Sequence, residues 1–434
     1  MVCKNYESPQ KVNAVALHSC TAYIDISAFM GYNHHINEKE NVMDNRKTFQ
    51  VSNDMNVLIA IDSFKGSLSS LEAGRAADEG IKRVFPNAVT EIRPVADGGE
   101  GTADALTEGL GGTVKKAEVT GPSGKKVTAR YGILPDGTAV IEMAAASGLT
   151  LIPASERDPM HTTSFGTGEL IRSAIEKGCR RFIIGIGGSA TNDGGIGCLQ
   201  ALGFGMLDEK GRQVSFGASG LAQLHDIDMS GVMPQLKECT FNIAGDVKNP
   251  LCGEKGCSKV FARQKGADDA MIEKMDALLM RYAELTKSFI PTASPDAEGA
   301  GAAGGMGFAL MNYLGAEMHS GISLILDETG FGDAVKNADI VITGEGCLDG
   351  QTAMGKAPVG IAAIAKKYGR PVIAISGIAG KGAEKCNSCG IDAFFPVLRR
   401  ICTAEEAMEK AAAAANVSDT AEQIFRLLAI CNKL

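Results

Sequence analysis

The stretch Asn56-Val-Leu-Ile-Ala-Ile61 runs directly into Asp62-Ser-Phe-Lys65-Gly66-Ser67. A near-continuous apolar run with a polar stop reads as a parallel strand buried on both faces. Beyond it, Leu68, Leu71, Ala76 and Ile81 fall at helical spacing and predict a helix within Ser67–Val84. The same unit recurs. Arg181–Ile186 (RFIIGI), Ala338–Thr343 (ADIVIT) and Pro371–Ser376 (PVIAIS) each lead into a glycine loop, with helical patterns over Thr167–Lys177, Ala357–Lys367 and Thr403–Ala415. Buried strands leaving through glycine turns, with helices between them, define an α/β class built on a doubly wound, Rossmann-like parallel sheet.

Two regions depart from that rhythm. Gly112–Met143 alternates short β-like pieces with turn signals at Pro122–Gly124 and Pro135–Gly137, a hairpin pattern and not a strand–helix–strand unit. Residues 205–300 are less regular, with a long helical candidate at Ala267–Ala283 and a Pro/Ala/Gly stretch over Pro291–Gly305. The expected layout is a Rossmann-like domain from residues 55–111 and 301–434, with a second α/β domain containing β-hairpins inserted at 112–300. Residues 1–54 contain one glycine, Gly31, and have no strong periodicity. They are expected to form a non-core extension, disordered or loosely attached. They have neither the apolar core of a signal peptide nor the Arg-rich, acid-poor make-up of a transit peptide, and Met55 suggests an alternative translation start.

Composition narrows the function. Lys and Arg total 43 against 51 Asp and Glu, a formal net charge of −8. With no Trp and 5% aromatics, neither a basic face nor a stacking platform for nucleic acid is expected. No apolar run is long enough to span a membrane, and the expected setting is the cytoplasm, as a monomer or homodimer. The 12 cysteines do not make a secreted disulfide framework in a chain of this size. Cys386-Asn-Ser-Cys389, a lone CxxC without companion ligands, reads as a reduced surface turn. Glycine is the outlier at 53 of 434 residues, and it gathers in short loops after apolar segments, where backbone approaches something closely.

Four such loops carry charge. In the first, Asp62 and Lys65 stand three residues apart past a buried strand, and Ser67 is placed to cap the next helix, whose free N–H groups favour an anion. The second, Asp97-Gly-Gly-Glu100-Gly101-Thr102, offers two carboxylates on a backbone with little steric cover, suited to a phosphate or to Mg²⁺ with its oxygen ligands. The third, Gly187-Gly188-Ser189-Ala-Thr191-Asn-Asp193-Gly-Gly195, reads as an anion cradle, with Asp193 as base or metal ligand. A dinucleotide reading of Gly185-x-Gly187-x-x-Ala190 lacks its acidic partner about 20 residues on. The fourth contains Glu345, Asp349 and Gly350-Gln351-Thr352-Ala-Met-Gly355-Lys356. This is most of a phosphate loop, but Ala357 stands where the motif needs a metal-binding hydroxyl, so the metal ligand must come from elsewhere. Anion cradles, carboxylates and lysines together point to phosphoryl transfer, where positioning and charge neutralisation supply most of the catalysis. Candidate roles are Asp193, Lys65 and Asp62 in catalysis; Ser67, the 187–191 loop and the 350–356 segment in phosphate or substrate binding; and Asp97, Glu100, Glu345 and Asp349 as metal ligands.

In order along the chain, Ile59–Ser67, Pro94–Thr102, Gly187–Gly195, Thr343–Thr352 and Gly355–Pro358 closely resemble the motifs of the type I glycerate kinases. The resemblance runs from Met55 to about Leu434. It implies two α/β domains with the active site in the cleft, and ATP- and Mg²⁺-dependent phosphorylation of D-glycerate, mainly at the 2-hydroxyl, in glyoxylate, glycolate or aldarate breakdown. The competing expectations are a kinase for another small hydroxy acid, a metal-dependent phosphatase or lyase acting on phosphoglycerate, and a metabolite-sensing module.

Overall fold

The computed structural model describes residues 54–99 and 101–431. The expected extension falls outside the described residues, apart from Asp54.

Thirteen strands build two large sheets and one two-stranded ribbon. The first sheet is wholly parallel, in the order β13 (Ala393–Pro396), β12 (Val372–Ala379), β11 (Ile340–Leu348), β1 (Asn56–Ile61) and β2 (Val89–Ile92). Its continuous apolar runs have a simple cause. Val57, Ile59 and Ile61 enter one core, beneath the helices Ser70–Val84 and Lys410–Cys431, while Leu58 and Ala60 enter another, beneath the helix Ala357–Lys367. A strand covered on both faces has no polar side to alternate with.

The second sheet is mixed, in the order β10 (Glu317–His319), β9 (Thr240–Ala244), β6 (Arg181–Gly185), β5 (Thr138–Glu142), β4 (Lys126–Ile133) and β3 (Thr113–Thr120). β3, β4 and β5 are the antiparallel meander expected from the two turn signals, and β5, β6, β9 and β10 run parallel. β7 (Gly205–Leu207) and β8 (Asp226–Asp228) form the ribbon. One face of the large mixed sheet packs beneath the helices Phe165–Glu176 and Asp269–Phe289. Leu106 and Ile325, from the helices Thr102–Gly109 and Gly321–Glu328, cover the other.

The sheets divide the chain at different points from residues 111 and 301. The helices Thr102–Gly109 and Ala302–Tyr313 and strand β10 all pack with the second sheet, so the crossings lie near Asp97 and Gly321. Composition marked the Pro/Ala/Gly stretch as a linker, but the apolar residues after it complete the core around Leu279 and Tyr282. The two crossings touch. A Cβ on Gly321 would fall 2.1 Å from the carbonyl oxygen of Asp97, and one on Gly98 would lie 3.1 Å from the Cα of Gly321. Only glycine lets these backbones approach so closely.

Two local expectations change for reasons of pairing and capping. β11 continues through Gly344-Glu345-Gly346 because β12 keeps pairing with it as far as Leu348 and Ala379. Glu345 is therefore held on a strand and not on a loop. The helix expected over Thr403–Ala415 breaks at Glu409 (ψ 128°) into Ala404–Met408 and Lys410–Cys431. The Glu409 carboxylate accepts the Ala411 and Ala412 N–H groups at 3.1 and 2.8 Å, capping the second helix.

Candidate functional site

A cavity of about 620 Å³ opens at the carboxyl ends of β1, β11, β12 and β13. In open parallel sheets this is where ligands bind, because strand exits and helix starts meet there. Asp62, Lys65, Asp97, Glu345 and Lys356 all face it. They come from three of the four charged loops.

Asp62 leaves the end of β1, which is anchored from beneath: Ser70 Oγ donates to the Ile61 carbonyl at 2.6 Å and accepts the Val95 N–H at 2.9 Å. That bridge ties the first charged loop to the second, and Ser70 was not singled out in the sequence. The helix is capped by Ser69, not Ser67; Ser69 Oγ accepts the Glu72 N–H at 3.3 Å, and the Glu72 carboxylate accepts the Ser69 N–H at 3.0 Å. The Ser69-x-x-Glu72 capping box was legible in the residues. Ser67 instead lines the cavity, its hydroxyl buried without a hydrogen-bond partner.

Charge sets the character of the site. Lys65 Nζ lies 3.3 Å from an Asp97 oxygen. The other Asp97 oxygen accepts the Gly99 N–H at 3.0 Å. Burial, then the Asp97 charge, pushes the Asp62 carboxyl up to about 7, against the opposing Ser63 N–H and Lys65 charge. Burial likewise raises Glu345, although Thr352 Oγ1 donates to it and Lys356 stands nearby. For Lys65, burial opposes the ammonium, but the Asp97 and Asp62 charges outweigh it and raise its affinity for the proton. The arrangement provides one deep carboxyl that titrates near neutrality, further acidic groups, and two cations at the rim.

The other expected site residues divide. Asp349 accepts the Gln351 and Thr352 N–H groups at 2.8 and 3.2 Å, so its carboxylate closes its own turn and is not a free metal ligand. Gly350, Gln351, Thr352 and Gly355 shape that turn and do not line the cavity; Lys356, at the start of the helix Ala357–Lys367, does. Glu100 lies outside the described residues. Cys386 is buried in the core and not on a surface turn, because the helix Lys385–Ser388 turns it inward.

The third loop is elsewhere. Gly187 abuts the second loop, with a Cβ there reaching 3.1 Å from the Gly99 Cα, but Gly187, Gly188, Ser189 and Thr191 are not in the cavity wall. Asp193 is wholly buried; its carboxylate accepts the Ser164 N–H at 2.9 Å, the Ser164 hydroxyl at 2.8 Å and the Gly195 N–H at 3.1 Å. A carboxylate enclosed by its own chain has no path to a substrate hydroxyl, so the geometry makes Asp193 a strut and not the base. Beneath the loop lies Lys265, which sequence reasoning passed over. It is 2% exposed, and its Nζ donates to Ser189 Oγ at 2.9 Å and to the Thr191 carbonyl at 2.6 Å. Burial lowers it to about 8, against the nearby Cys257 and Asp193. Nothing in Arg263-Gln-Lys265-Gly266 distinguishes this lysine from a solvated one; only the packing does.

Among the described residues, no three or more His, Cys, Asp or Glu side chains are grouped to hold a metal by themselves. Mg²⁺ does not require that, since it commonly takes one or two carboxylates and completes its shell with phosphate and water. Mutually destabilised acidic groups at Asp62, Asp97 and Glu345 fit a divalent cation brought in with a polyphosphate.

A doubly wound sheet with a charged cavity at its strand exits defines a class of small-molecule phosphotransferase scaffolds. Residues 57–429 match the glycerate kinase family, and the chain belongs to that family. It is 50% identical to the glycerate 2-kinase of Escherichia coli K12 across 82% of this chain and 94% of that protein. It is 47% identical to the glycerate kinase of Bacillus subtilis 168 with the same coverage. A crystal structure assigned as glycerate kinase 2 from Salmonella typhimurium LT2 superposes with a TM-score of 0.81 at 46% identity, covering 88% of this chain and all of that one. No helix among the described residues is long and apolar enough to cross a membrane.

Proposed function

We propose that the protein transfers the γ-phosphoryl group of ATP to the 2-hydroxyl of D-glycerate, giving 2-phospho-D-glycerate and ADP. The names of its relatives support the reaction, and neither the phosphatase or lyase nor the sensing alternative gains support from them. The observation that carries the residue roles is Asp62, a nearly buried carboxyl at the end of β1 whose affinity for a proton is raised to about 7. A base poised near the working pH accepts a hydroxyl proton most effectively. In this reading Asp62 orients the 2-hydroxyl and takes its proton as the oxygen attacks phosphorus. Lys65 and Lys356, on either side of the acidic group, offset charge on the transferring phosphoryl. Asp97 and Glu345 would hold Mg²⁺, which when bound neutralises phosphate charge. Glycerate supplied by glyoxylate or aldarate breakdown belongs to the same proposal.

The test is ADP release over a panel of small hydroxy acids, with phosphorus NMR locating the transferred group. D-glycerate should turn over fastest and yield the 2-phosphate. A preference of tenfold or more for another acid, or a 3-phosphate product, overturns the assignment.

A further inference from the structure

The cavity changes character across the sheet. Beside β1 and β11 it is acidic and cationic; beside β12 and β13 its wall is Ile378, Val397, Leu398, Cys402, Ala407 and Met408. Ile378 and Met408 are 47% and 44% exposed, unusual for side chains that line a recess. The roof over this end is the helix Ala404–Met408, none of whose residues is buried. It is nevertheless fixed in place. Thr403 Oγ1 accepts the Glu406 N–H at 3.2 Å, and the Glu406 carboxylate accepts the Thr403 N–H at 3.0 Å. The Met408 methyl sits over Gly66, only 2.6 Å from where a Cβ would stand, so this roof meets the loop that carries Asp62 and Lys65. A rigidly capped helix that buries nothing of its own, above exposed apolar side chains, is a wall waiting for an apolar guest.

We propose that this lobe binds the purine base of the nucleotide, with the polyphosphate laid across the strand ends towards Asp62. The inference rests on the kinase reading and assigns one of its two substrates to one end of the site. Glycerate is a three-carbon acid bearing a polar group on every carbon and has no face to offer Ile378 or Met408; the flat heterocycle of ATP does. Scale agrees. Neighbouring strands lie about 4.8 Å apart, so β1 to β13 spans three steps, about 14 Å, commensurate with an extended nucleoside triphosphate. The unpartnered Ser67 hydroxyl lies along that path and can donate to a ribose or phosphate oxygen. Glycerate is then left the side nearest Gly98, Gly99 and Gly187, where the two sheets approach each other.

Calorimetry on the full chain, with ADP, inorganic tripolyphosphate and D-glycerate titrated separately, tests the assignment. Ala407→Trp fills the lobe and should raise the Kd for ADP at least 30-fold, while leaving tripolyphosphate and D-glycerate within threefold of the parent. Ile378→Ala, which removes wall and adds no bulk, should weaken ADP five- to tenfold and carries the test if Ala407→Trp melts early. Unchanged ADP affinity in a folded variant, or loss of D-glycerate in place of ADP, overturns the lobe assignment. Turnover of D-glycerate by the parent is scored independently. A parent that phosphorylates it while Ala407→Trp and Ile378→Ala leave ADP unaffected refutes the lobe alone; one that binds ADP in the lobe and ignores glycerate refutes the substrate reading alone.

Discussion

After β1 the chain presents Asp62 among Ser63, Gly66 and Ser67; after β6 it presents Asp193 among Ser189, Thr191 and Gly194. On paper the two loops carry the same equipment. In the folded protein Asp62 keeps one short hydrogen bond, to the Ser63 N–H at 2.6 Å, and faces other acids across a cavity. Asp193 is enclosed, with three donors aimed at it from Ser164 and Gly195. The difference lies in the neighbours. The helix after Asp62 begins eight residues later with its own capping serine, leaving the carboxyl uncommitted. The loop after β6 is pinned by Lys265 from below and by Ser164 from the side. An acid loaded with internal donors stabilises a loop; an acid short of them stores unfavourable electrostatics, which is characteristic of reactive sites.

The largest effect that would break this comparison comes from Asp62→Asn. As base, Asp62 should account for about 10²–10⁴ in kcat, measured as single-turnover phosphoryl transfer with D-glycerate and ATP. The same change should stabilise the fold. Its folded value of about 7 lies above the ordinary 3.8, so the native state binds this proton more tightly than the unfolded chain does. The penalty is absent below pH 4, grows between pH 4 and 7, and is complete above 7. Asparagine should therefore raise Tm at pH 8 by an amount that vanishes towards pH 4, with an upper bound of about 4 kcal/mol. An Asp62→Asn protein that melts earlier at pH 8 and turns over normally would reverse the roles of the two loops.

Asp193→Asn should do the opposite. It puts an amide donor against N–H and O–H donors in a dry site, a loss of about 2–4 kcal/mol of stability, read by urea denaturation. Turnover per folded molecule should stay within a few-fold of the parent. A protein of unchanged stability that had lost its single-turnover rate would return Asp193 to the reacting groups.

Asp97→Asn sharpens the comparison from within the site. Removing the charge that helps raise Asp62 should move the acid limb of kcat/KM to lower pH, visible in a profile from pH 5 to 9. An unmoved limb would mean that a group other than Asp62 sets it. The smallest effect is expected from deleting residues 1–54. Met55 is 1% exposed and the family match begins at residue 57, so a chain starting at Met55 should melt and turn over as the full chain does. A tenfold loss of kcat/KM, about 1.4 kcal/mol, would show that the extension acts on the site.

Much of this was legible in the residues. The runs NVLIAI and RFIIGI gave β1 and β6 almost to the residue, because strands covered on both faces must be apolar throughout. The turn signals at Pro122–Gly124 and Pro135–Gly137 gave the β3–β4–β5 meander. The charged cluster was legible as a set of candidates but not as a selection. Asp62, Lys65, Asp97, Glu345 and Lys356 share a cavity, while Asp193 and Asp349, equally acidic and equally flanked by glycine, spend their oxygens on nearby N–H groups.

The sequence by itself determined which segments are buried strands and where glycine punctuates them, since hydrophobic periodicity and turn chemistry act over a few residues. Tertiary structure alone decided which end of the chain completes which sheet, as with β10 and the helix Ala302–Tyr313 joining the second. It also decided that Lys265 is buried and that Asp62 faces a cavity while Asp193 does not. Burial and charge proximity are sums over neighbours brought from distant parts of the chain. A carboxylate's chemistry depends on those sums more than on the residues beside it.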